Sequence, residues 1–335
     1  MKNPQRDLPR PMLALFGAPE ALWKLGKSPK DLGANSMVIS HKVARPEVVE
    51  RCVREGLKVY LDFACFAGKE RAKKHPDLWP IGADGRRMEP DEWYLGLCPT
   101  KRWWREHLLE RMTESARKLP ISGVWLDFIR FPTRWELPNP RIKQACFCKS
   151  CLGLFREFAG IDVPVDEPAK AAREILSRHL GKWAEFKVWV VTSFVEQVRR
   201  ALDEVRPGLA LGCFTVPWRL REFGGAILKV LGQDFREMAR FADALSPMVY
   251  HRMLGRPVDW VGEYTAYMKG KVRPRMVVPI VQAVDHPAKL TARELGRAIS
   301  LAVRNGDGAI IFTLEAVAKS REKIEATRRA FLGVL

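Results

Sequence analysis

Eight short runs of β-forming apolar residues, each followed by a stretch with helical character, constrain the fold of this chain more than any other feature. The runs are residues 12–16, 36–40, 58–63, 123–128, 209–214, 244–250, 276–281 and 308–313. Several are apolar at consecutive positions, as expected for parallel strands that are buried on both faces. Eight strand–helix units predict an α/β protein with a (β/α)8 barrel, the TIM barrel.

Helix signals lie between these runs. Residues 46–56 begin with a proline, and Thr100 stands at a predicted N-cap before the helical stretch RWWREHLLERMTESARK. Thr291 is followed three residues later by Glu294, which is the pattern of a capping box. These signals support the alternation of strand and helix along the whole chain.

The chain is longer than a minimal barrel. Its 335 residues exceed the usual length of about 250 by roughly 85, and most of the surplus falls in two connections, 64–122 after the third strand and 129–208 after the fourth. We therefore expect residues 1–335 to form one barrel domain with two long loop excursions. A doubly wound flavodoxin-like sheet is the alternative, although eight units overfill it.

Composition places the chain among soluble globular proteins. Hydrophobic residues make up 47% and charged residues 29%, which excludes disordered and fibrous classes. No apolar stretch approaches the roughly 18–20 residues needed to span a bilayer, and the run 12–16 is too short for the core of a signal peptide. We expect a cytoplasmic protein with no membrane partner.

The net charge of +18 raises the question of an anionic partner. The basic residues are spread along the chain, and the signatures of RNA-binding modules and zinc fingers are absent from the sequence. Nucleic acid is therefore disfavoured as a partner relative to a basic, well-solvated surface, while anionic glycans would also match the charge. A homo-oligomer is also compatible with the sequence.

Polar side chains stand where the predicted strands end, which is where (β/α)8 enzymes place their chemistry. These residues are His41, Asp62, Asp127, Thr215, Tyr250, His251, Gln282 and Glu315. Asp127 follows the buried run Val124–Leu126 by one position, and Arg130 lies three residues on. An aspartate beside an arginine can stay ionised and act as a nucleophile or stabilise a cationic transition state, or the two can form a structural ion pair.

Other carboxylates compete for a role at the same mouth. Asp62 could hold a substrate hydroxyl or satisfy backbone donors, and Glu315 could serve in the site or sit as the N-terminal charge of a following helix. Asp285 and Glu136 lie in loops that could reach the mouth. Among the tryptophans of the long loops, Trp135 follows Asp127 closely enough to line its pocket, and its ring suits the apolar face of a sugar.

Three cysteines, Cys146, Cys148 and Cys151, fall within six residues in CFCKSC. Thiolates at this spacing can surround one tetrahedral ion, usually zinc, and Cys98 in the preceding long connection is the expected fourth ligand, with His75 in reserve. Four protein ligands would make the zinc structural. Reduced thiols and an iron–sulfur cluster are the alternatives; the other three of the seven cysteines are expected to be buried thiols.

Cys98 followed by CFCKSCLGLFREFAG resembles the zinc-binding cysteines of the family 42 glycoside hydrolases, the β-galactosidases. GVWLDFIRFPTRWE is similar to the fourth-strand segment of uncharacterised glycoside-hydrolase-like barrels and, more loosely, of α-L-fucosidases. HPDLWPIGADGRRMEPDEWYLGLCPT fits the same set, so the resemblance covers roughly residues 60–160. It implies a TIM barrel, a structural zinc and a catalytic nucleophile at Asp127.

The sequence departs from family 42 where that family carries its catalytic pair. An Asn–Glu acid/base is expected on the fourth strand and a glutamate on the seventh, but here Leu126 precedes Asp127 and Gln282 ends the seventh. The zinc module therefore transfers from the resemblance, whereas β-galactosidase activity does not.

The leading hypothesis is a glycosidase that cleaves its carbohydrate substrate with a carboxylate pair. Asp127 is the expected nucleophile or base and Glu315 the first choice for the proton donor, followed by Asp285, Glu136 and Asp62. The expected substrate-binding residues are Asp62, Arg130, Trp135, Tyr250, His251, Gln282 and His41. The alternatives are a non-catalytic carbohydrate-binding barrel and a basic nucleic-acid-binding protein.

Overall fold

The computed structural model of the chain describes residues 6–333. Its strands are Met12–Phe16 (β1), Ser36–Ser40 (β2), Lys58–Ala64 (β3), Gly123–Asp127 (β4), Ala210–Thr215 (β5), Ala244–Val249 (β6), Met276–Val277 with Ile280–Gln282 (the two segments of β7) and Gly308–Phe312 (β8). All pairings are parallel, and β1 pairs with β8 while β5 pairs with β6, so the sheet closes on itself. The closed eight-stranded barrel confirms the predicted TIM-barrel fold. A doubly wound sheet is excluded because such a sheet is open.

Helices surround the barrel and fill the long connections. They are Glu20–Trp23 (α1), Pro46–Arg54 (α2), Lys69–Lys74 (α3), Arg102–Lys118 (α4), Lys149–Ala159 (α5), Pro168–Arg178 (α6), Leu180–Val205 (α7), Ala226–Lys229 (α8), Phe235–Met238 (α9), Trp260–Val272 (α10), Ala292–Asn305 (α11), Leu314–Ala318 (α12) and Arg321–Leu332 (α13). Within residues 6–333, no helix combines the length and the apolar character that crossing a membrane would require.

The strands agree with the sequence prediction to within one residue at either end, except in β7. That strand is interrupted at Val278 and Pro279. Proline lacks the amide hydrogen that a central strand donates to its neighbour, so the ladder breaks there and resumes at Ile280, which pairs with Met248.

Two predicted helix caps differ in detail. The N-cap of α4 is Lys101, not Thr100, because the Thr100 hydroxyl instead contacts the thiols of Cys98 and Cys151. Thr291 does cap α11, accepting a hydrogen bond from the Glu294 amide at 3.2 Å. The Glu294 carboxylate does not complete a capping box, because it binds two residues that follow β6.

The barrel interior is filled around Trp125. Its indole Nε1 donates to the Ser246 hydroxyl at 2.9 Å, and its ring meets Tyr60 edge to face with centroids 4.8 Å apart. Space for this ring comes from Gly212, where a Cβ atom would lie 2.0 Å from the indole. One glycine therefore admits the largest side chain of the core.

Strand register carries two carboxylates above this layer. Asp62 of β3 is paired laterally with Trp125 of β4, and Asp127 lies two residues beyond Trp125. Because laterally paired residues and residues two apart on a strand share a face, all three side chains point into the barrel. Asp62 and Asp127 consequently lie at its carboxyl-terminal mouth.

We expect Gly212→Ala to destabilise the protein by about 1–3 kcal/mol, since the added methyl overlaps the Trp125 ring. Gly153→Ala in α5 is the matched control: nothing lies within 4 Å of a Cβ atom there, and alanine should stabilise the helix by about 0.5–1 kcal/mol. Denaturant unfolding measures both changes. Equal midpoints for the two variants would contradict this packing.

Candidate active site

A cavity of about 150 Å³ opens at the carboxyl-terminal mouth of the barrel. The loops after β4, β6 and β7 supply most of its wall, and the long loop after β3 adds one tryptophan. The lining residues are Trp93, Asp127, Phe128, Arg130, Arg134, Trp135, Glu136, Met248, Tyr250, Met253, His286 and Phe312. Carboxylates, arginines and aromatic rings thus face one space.

Asp127 is the last residue of β4 and is held by the turn that follows. The Phe128 amide donates to Asp127 Oδ1 at 2.6 Å, and Phe128 adopts a φ of +51°, an unfavourable conformation for a bulky residue. Burial raises the pKa of Asp127 to about 6, although the Arg130 charge and the Phe128 amide act in the opposite direction. The carboxyl group therefore titrates near neutral pH.

Asp62 lies deeper than Asp127 and is only 6% exposed. Its Oδ1 atom has no hydrogen-bond partner among residues 6–333. Burial and the nearby Asp127 charge raise the pKa of Asp62 well above its usual range, against the opposing charges of Lys42 and Arg71. When the charges of two buried carboxyl groups interact in this way, the binding of a proton by one of them is favoured.

Glu136 is the second carboxylate in the cavity wall, with a side chain 12% exposed. Its carboxylate lies 3.9 Å from Arg130 Nη2 and 3.4 Å from Arg134 Nε. Burial raises the pKa of Glu136, and the two arginines oppose that rise. The charge of Glu136 also shifts the pKa of Asp127 upward.

Arg130 is 1% exposed and is positioned by aromatic rings. Its guanidinium carbon lies 4.9 Å from the Phe128 ring centroid and 5.6 Å from that of Tyr94. Its Nε and Nη2 atoms lack hydrogen-bond partners within the described part of the chain. A buried arginine with free donors at a cavity wall can bind an oxygen atom of a ligand.

Aromatic rings form another part of the cavity wall. Tyr250 stacks on Trp135 with centroids 5.9 Å apart and on Phe312 at 5.3 Å. Trp135 Nε1 is buried and unpartnered among the residues that the structure describes. Burial, with the charges of Asp127, Glu136 and Asp62, raises the pKa of Tyr250 well above its usual range, so the phenol stays protonated.

The structure brings four of the expected site residues into this cavity, namely Asp127, Arg130, Trp135 and Tyr250, with Asp62 beneath them. Glu315 lies outside its lining. The Glu315 carboxylate accepts the Ala18 amide at 2.7 Å, next to the loop that follows β1.

The other expected residues hold the surrounding loops. Gln282 donates to the carbonyls of Val284 and His286 and accepts the Met253 amide at 3.2 Å, so it joins the loops after β6 and β7. His251 Nε2 lies 2.9 Å from Glu294 Oε1, and burial lowers the pKa of His251.

Two further positions lie away from the cavity. His41 stacks on Phe63 at 4.3 Å, and burial lowers its pKa to about 4, which keeps the ring neutral. Asp285 forms a 2.8 Å ion pair with Lys323, and that hydrogen bond lowers the pKa of Asp285. Neither residue lines the cavity.

Sequence reasoning did not assign roles to Trp93, Arg134 or His286, which also line the cavity. Trp93 and Arg134 are distant in sequence but touch, with the guanidinium carbon 5.2 Å from the indole centroid. The segment TRWE carried a signal for Arg134, because it places an arginine directly before Trp135 and Glu136.

The four expected cysteine ligands form a second site. The sulfur atoms of Cys98, Cys146, Cys148 and Cys151 lie within 4.8 Å of one another, a group that could hold a metal ion. Cys98 Sγ lies 3.5 Å from Cys148 Sγ and 3.6 Å from Cys151 Sγ. Four ligands at the usual zinc–sulfur distance are about 3.8 Å apart, so the cluster fits a tetrahedral ion.

Burial and neighbouring groups act in opposite directions on the thiols of the cluster. Hydrogen bonds from the neighbouring thiols lower the pKa of Cys148, whereas burial raises those of Cys146 and Cys151. Lys187 and Arg105 lie near the cluster. Burial lowers the pKa values of these two side chains, to about 7 for Lys187 and about 10 for Arg105, and outweighs the thiolate charges, which raise them. All four donors are cysteine sulfurs, so a four-coordinate ion bound there would have no position open for water.

No protein-family model and no curated protein matches this sequence. Its fold is nevertheless shared with solved glycoside hydrolases, as the sequence resemblance predicted. The PgaB (BpsB) glycoside hydrolase domain from Bordetella bronchiseptica has a TM-score of 0.69 at 14% identity, covering 96% of this chain and 98% of that one.

Larger glycosidases contain the same barrel. A β-galactosidase from Bacillus circulans sp. alkalophilus has a TM-score of 0.69 at 15% identity, covering 98% of this chain and 56% of that one. Alpha-L-fucosidase isoenzyme 2 from Paenibacillus thiaminolyticus has a TM-score of 0.62 at 13% identity, with coverages of 96% and 49%. The chain spans about half the length of these two enzymes. At such identities the likeness establishes the fold.

The raised pKa of Asp127 predicts how Asp127→Asn changes stability with pH. A carboxyl group whose pKa is higher in the folded than in the unfolded protein favours folding at low pH and loses that contribution as pH rises. A rise in the pKa of Asp127 from 3.8 to about 6 corresponds to a change of as much as about 3 kcal/mol in the free energy of unfolding. The free energy of unfolding of the variant, relative to wild type, should therefore rise between pH 4 and 7.

Urea unfolding at half-unit pH steps measures this difference. Asp162→Asn, which alters a side chain that is 85% exposed, is the control and should give a difference with little pH dependence. A flat difference for Asp127→Asn would contradict the buried, charge-coupled environment of this carboxyl group.

Proposed function

We propose that this protein is a glycosidase in which Asp127 and Glu136 cleave the glycosidic bond. The observation that carries the proposal is that these two carboxylates line one cavity together with stacked aromatic rings. Glycoside hydrolysis uses two carboxyl groups that flank the scissile bond. Aromatic rings beside carboxylates provide the apolar surface against which a sugar ring packs.

We assign the ionised role to Asp127. Its Oδ1 accepts the Phe128 amide, and the Arg130 charge favours the carboxylate form. A pKa of about 6 leaves most molecules ionised at neutral pH. The Asp127 carboxylate can then attack the anomeric carbon or remove a proton from an attacking water molecule.

We assign proton donation to Glu136. It lines the same cavity as Asp127, and burial raises its pKa, as a general acid requires. As the glycosidic C–O bond breaks, the Glu136 proton passes to the leaving oxygen, and water supplies the hydroxyl group of the new sugar end. Glu315 is the weaker choice because its carboxylate is engaged with Ala18, outside the cavity.

Binding falls to the side chains that surround this pair. Trp135 and Tyr250 would pack against the sugar, and the free donors of Arg130 would bind a ring or hydroxyl oxygen. Asp62, buried below Asp127, would hold a proton and so keep Asp127 charged. Gln282 would act indirectly, since it fixes the loops that carry Met253 and His286.

We expect Asp127→Asn to lower kcat at least 10³-fold on every substrate, because the amide can neither attack nor accept a proton. Glu136→Gln should lower kcat by about 10²–10⁴-fold on natural glycosides. It should retain far more activity on aryl glycosides with acidic leaving groups, since these depart without protonation. Steady-state kinetics on a panel of aryl and alkyl glycosides makes the measurement.

Glu315→Gln completes this experiment, since Glu315 is the competing donor. The assignment would be overturned if Glu315→Gln lowered kcat and acidic leaving groups restored it, while Glu136→Gln stayed fully active. Sugar binding by the wild-type protein without cleavage of any substrate would instead favour a carbohydrate-binding barrel.

We further propose that the ion at Cys98, Cys146, Cys148 and Cys151 is a structural zinc. The support is the all-sulfur donor set and spacings near those of tetrahedral zinc. Bound there, zinc would join the long loop after β3, which carries Cys98, to the start of α5 in the loop after β4.

Metal analysis of the purified protein should find one equivalent of zinc per chain. Cys148→Ser should lose the metal and several degrees of melting temperature, whereas Cys52→Ser, which alters a buried thiol outside the cluster, should keep the metal. Iron with absorbance near 400 nm, or no metal in the wild-type protein, would contradict a zinc site.

A further inference from the structure

A second, larger cavity adjoins the proposed active site. It measures about 420 Å³ and is formed by segments of the loops after β3 and β4. Arg134 lines both cavities, so the two spaces meet at this side chain. Neither the catalytic pair nor the thiol cluster accounts for this second cavity.

Arg134 forms the partition and is rigidly placed. It is 6% exposed, donates to the Asp91 carbonyl at 3.1 Å, and donates to Glu92 Oε2 at 3.1 Å. Its Nε atom is buried and lies 3.4 Å from Glu136 Oε2, so the same side chain also contacts the proposed proton donor. A fixed, buried arginine that lines both cavities is placed to contact a ligand that crosses from one to the other.

Trp93 lies at the same partition and is 57% exposed. The preceding residue, Glu92, has a φ of +51° in a tight turn where Asp91 and Tyr94 are bridged. An aromatic ring held out at the boundary provides a stacking surface beyond the catalytic pocket.

The chemistry of the second cavity indicates what it binds. The lining carries charges of both signs: the basic residues are Arg87, Arg134, Arg141 and Lys143, and the acidic residues are Asp84, Glu89 and Asp91. Arg134 is also paired with Glu92, outside the lining. Apolar surface comes from Met88, Leu95 and Pro132. Hydrogen-bond donors and acceptors together with apolar surface suit a neutral sugar, whose hydroxyls do both and whose C–H faces are apolar. A lining of one sign would instead favour an ionic ligand.

We infer that the second cavity is a subsite for a neutral sugar unit, and that the substrate is an oligosaccharide or polysaccharide that passes over Arg134 and Trp93. The inference rests on the proposed glycosidase function, because it takes the smaller cavity as the point of cleavage. It predicts that affinity rises with chain length once a sugar reaches the second cavity.

Ala83→Trp tests the subsite, because Ala83 lines the second cavity and not the first, and the indole would occupy part of the space that a sugar needs. Binding is measured by calorimetry in the Asp127→Asn background, so that no ligand is cleaved. The ligands are gluco-, galacto- and N-acetylglucosamine oligosaccharides of one to six units, with oligogalacturonates of the same lengths. Leu25→Trp, at a position that is 50% exposed and in neither cavity, is the control.

We expect one neutral series to gain at least about tenfold in affinity between its shortest and longest members. Ala83→Trp should abolish that gain and leave the shortest ligand's affinity unchanged, while Leu25→Trp should change neither. Met88→Ala is the second variant should Ala83→Trp not fold, and it should reduce the gain severalfold. No length dependence in any neutral series, or stronger binding of the galacturonates, would overturn the inference.

Cleavage by the wild-type protein is measured on the same ligands. Length-dependent binding that is sensitive to Ala83→Trp, with no cleavage, would refute the glycosidase function while retaining the sugar subsite. Cleavage without length-dependent binding would support the glycosidase function and refute the sugar subsite.

Discussion

The burial of negative charge at the barrel mouth is the constraint around which the site is organised. Strand register directs Asp62 and Asp127 into the same interior, where burial raises the pKa of both carboxyl groups and the charge of Asp127 raises that of Asp62 further. The positive charge of Arg130 offsets this negative charge, and its guanidinium group packs against the rings of Phe128 and Tyr94. Phe128 adopts a left-handed conformation and contacts both residues: its amide donates to Asp127, and its ring packs against Arg130.

The two long loops are built as one unit. The loop after β3 supplies Cys98 and Trp93, and the loop after β4 supplies the other three cysteines with Arg134 and Glu136. Further contacts join them away from the sulfur atoms, including the bridge between Gly82 and Ala145. The thiol cluster therefore lies in the pair of loops that forms the larger cavity and part of the smaller one.

Strand periodicity made the barrel predictable, because buried parallel strands leave continuous apolar runs whatever their loops do. The same runs located Asp127, since a charged residue directly after Val124–Leu126 marks a strand end. The grouping of Cys98 with CFCKSC was also predictable, because short spacing leaves few geometries for three thiols, and Cys98 was the most suitable fourth ligand in the preceding connection.

Loop conformation was not predictable in the same way. Glu315 and Glu136 are both carboxylates near strand ends, and the sequence does not show that Glu315 would be engaged by the Ala18 amide while Glu136 lies against two arginines. Trp93 and Arg134 meet only through the fold, across 41 positions of sequence. Residues brought together by long loops need tertiary contacts to be identified, whereas residues fixed by a strand do not.

A crystal structure of the Asp127→Asn protein with a bound oligosaccharide tests the central proposal most directly. We predict a sugar ring packed against Trp135 and Tyr250, with its anomeric carbon facing position 127 and the glycosidic oxygen within hydrogen-bond distance of Glu136. A sugar bound elsewhere on the barrel, or a glycosidic oxygen that faces Glu315 with Glu136 turned away, would contradict it.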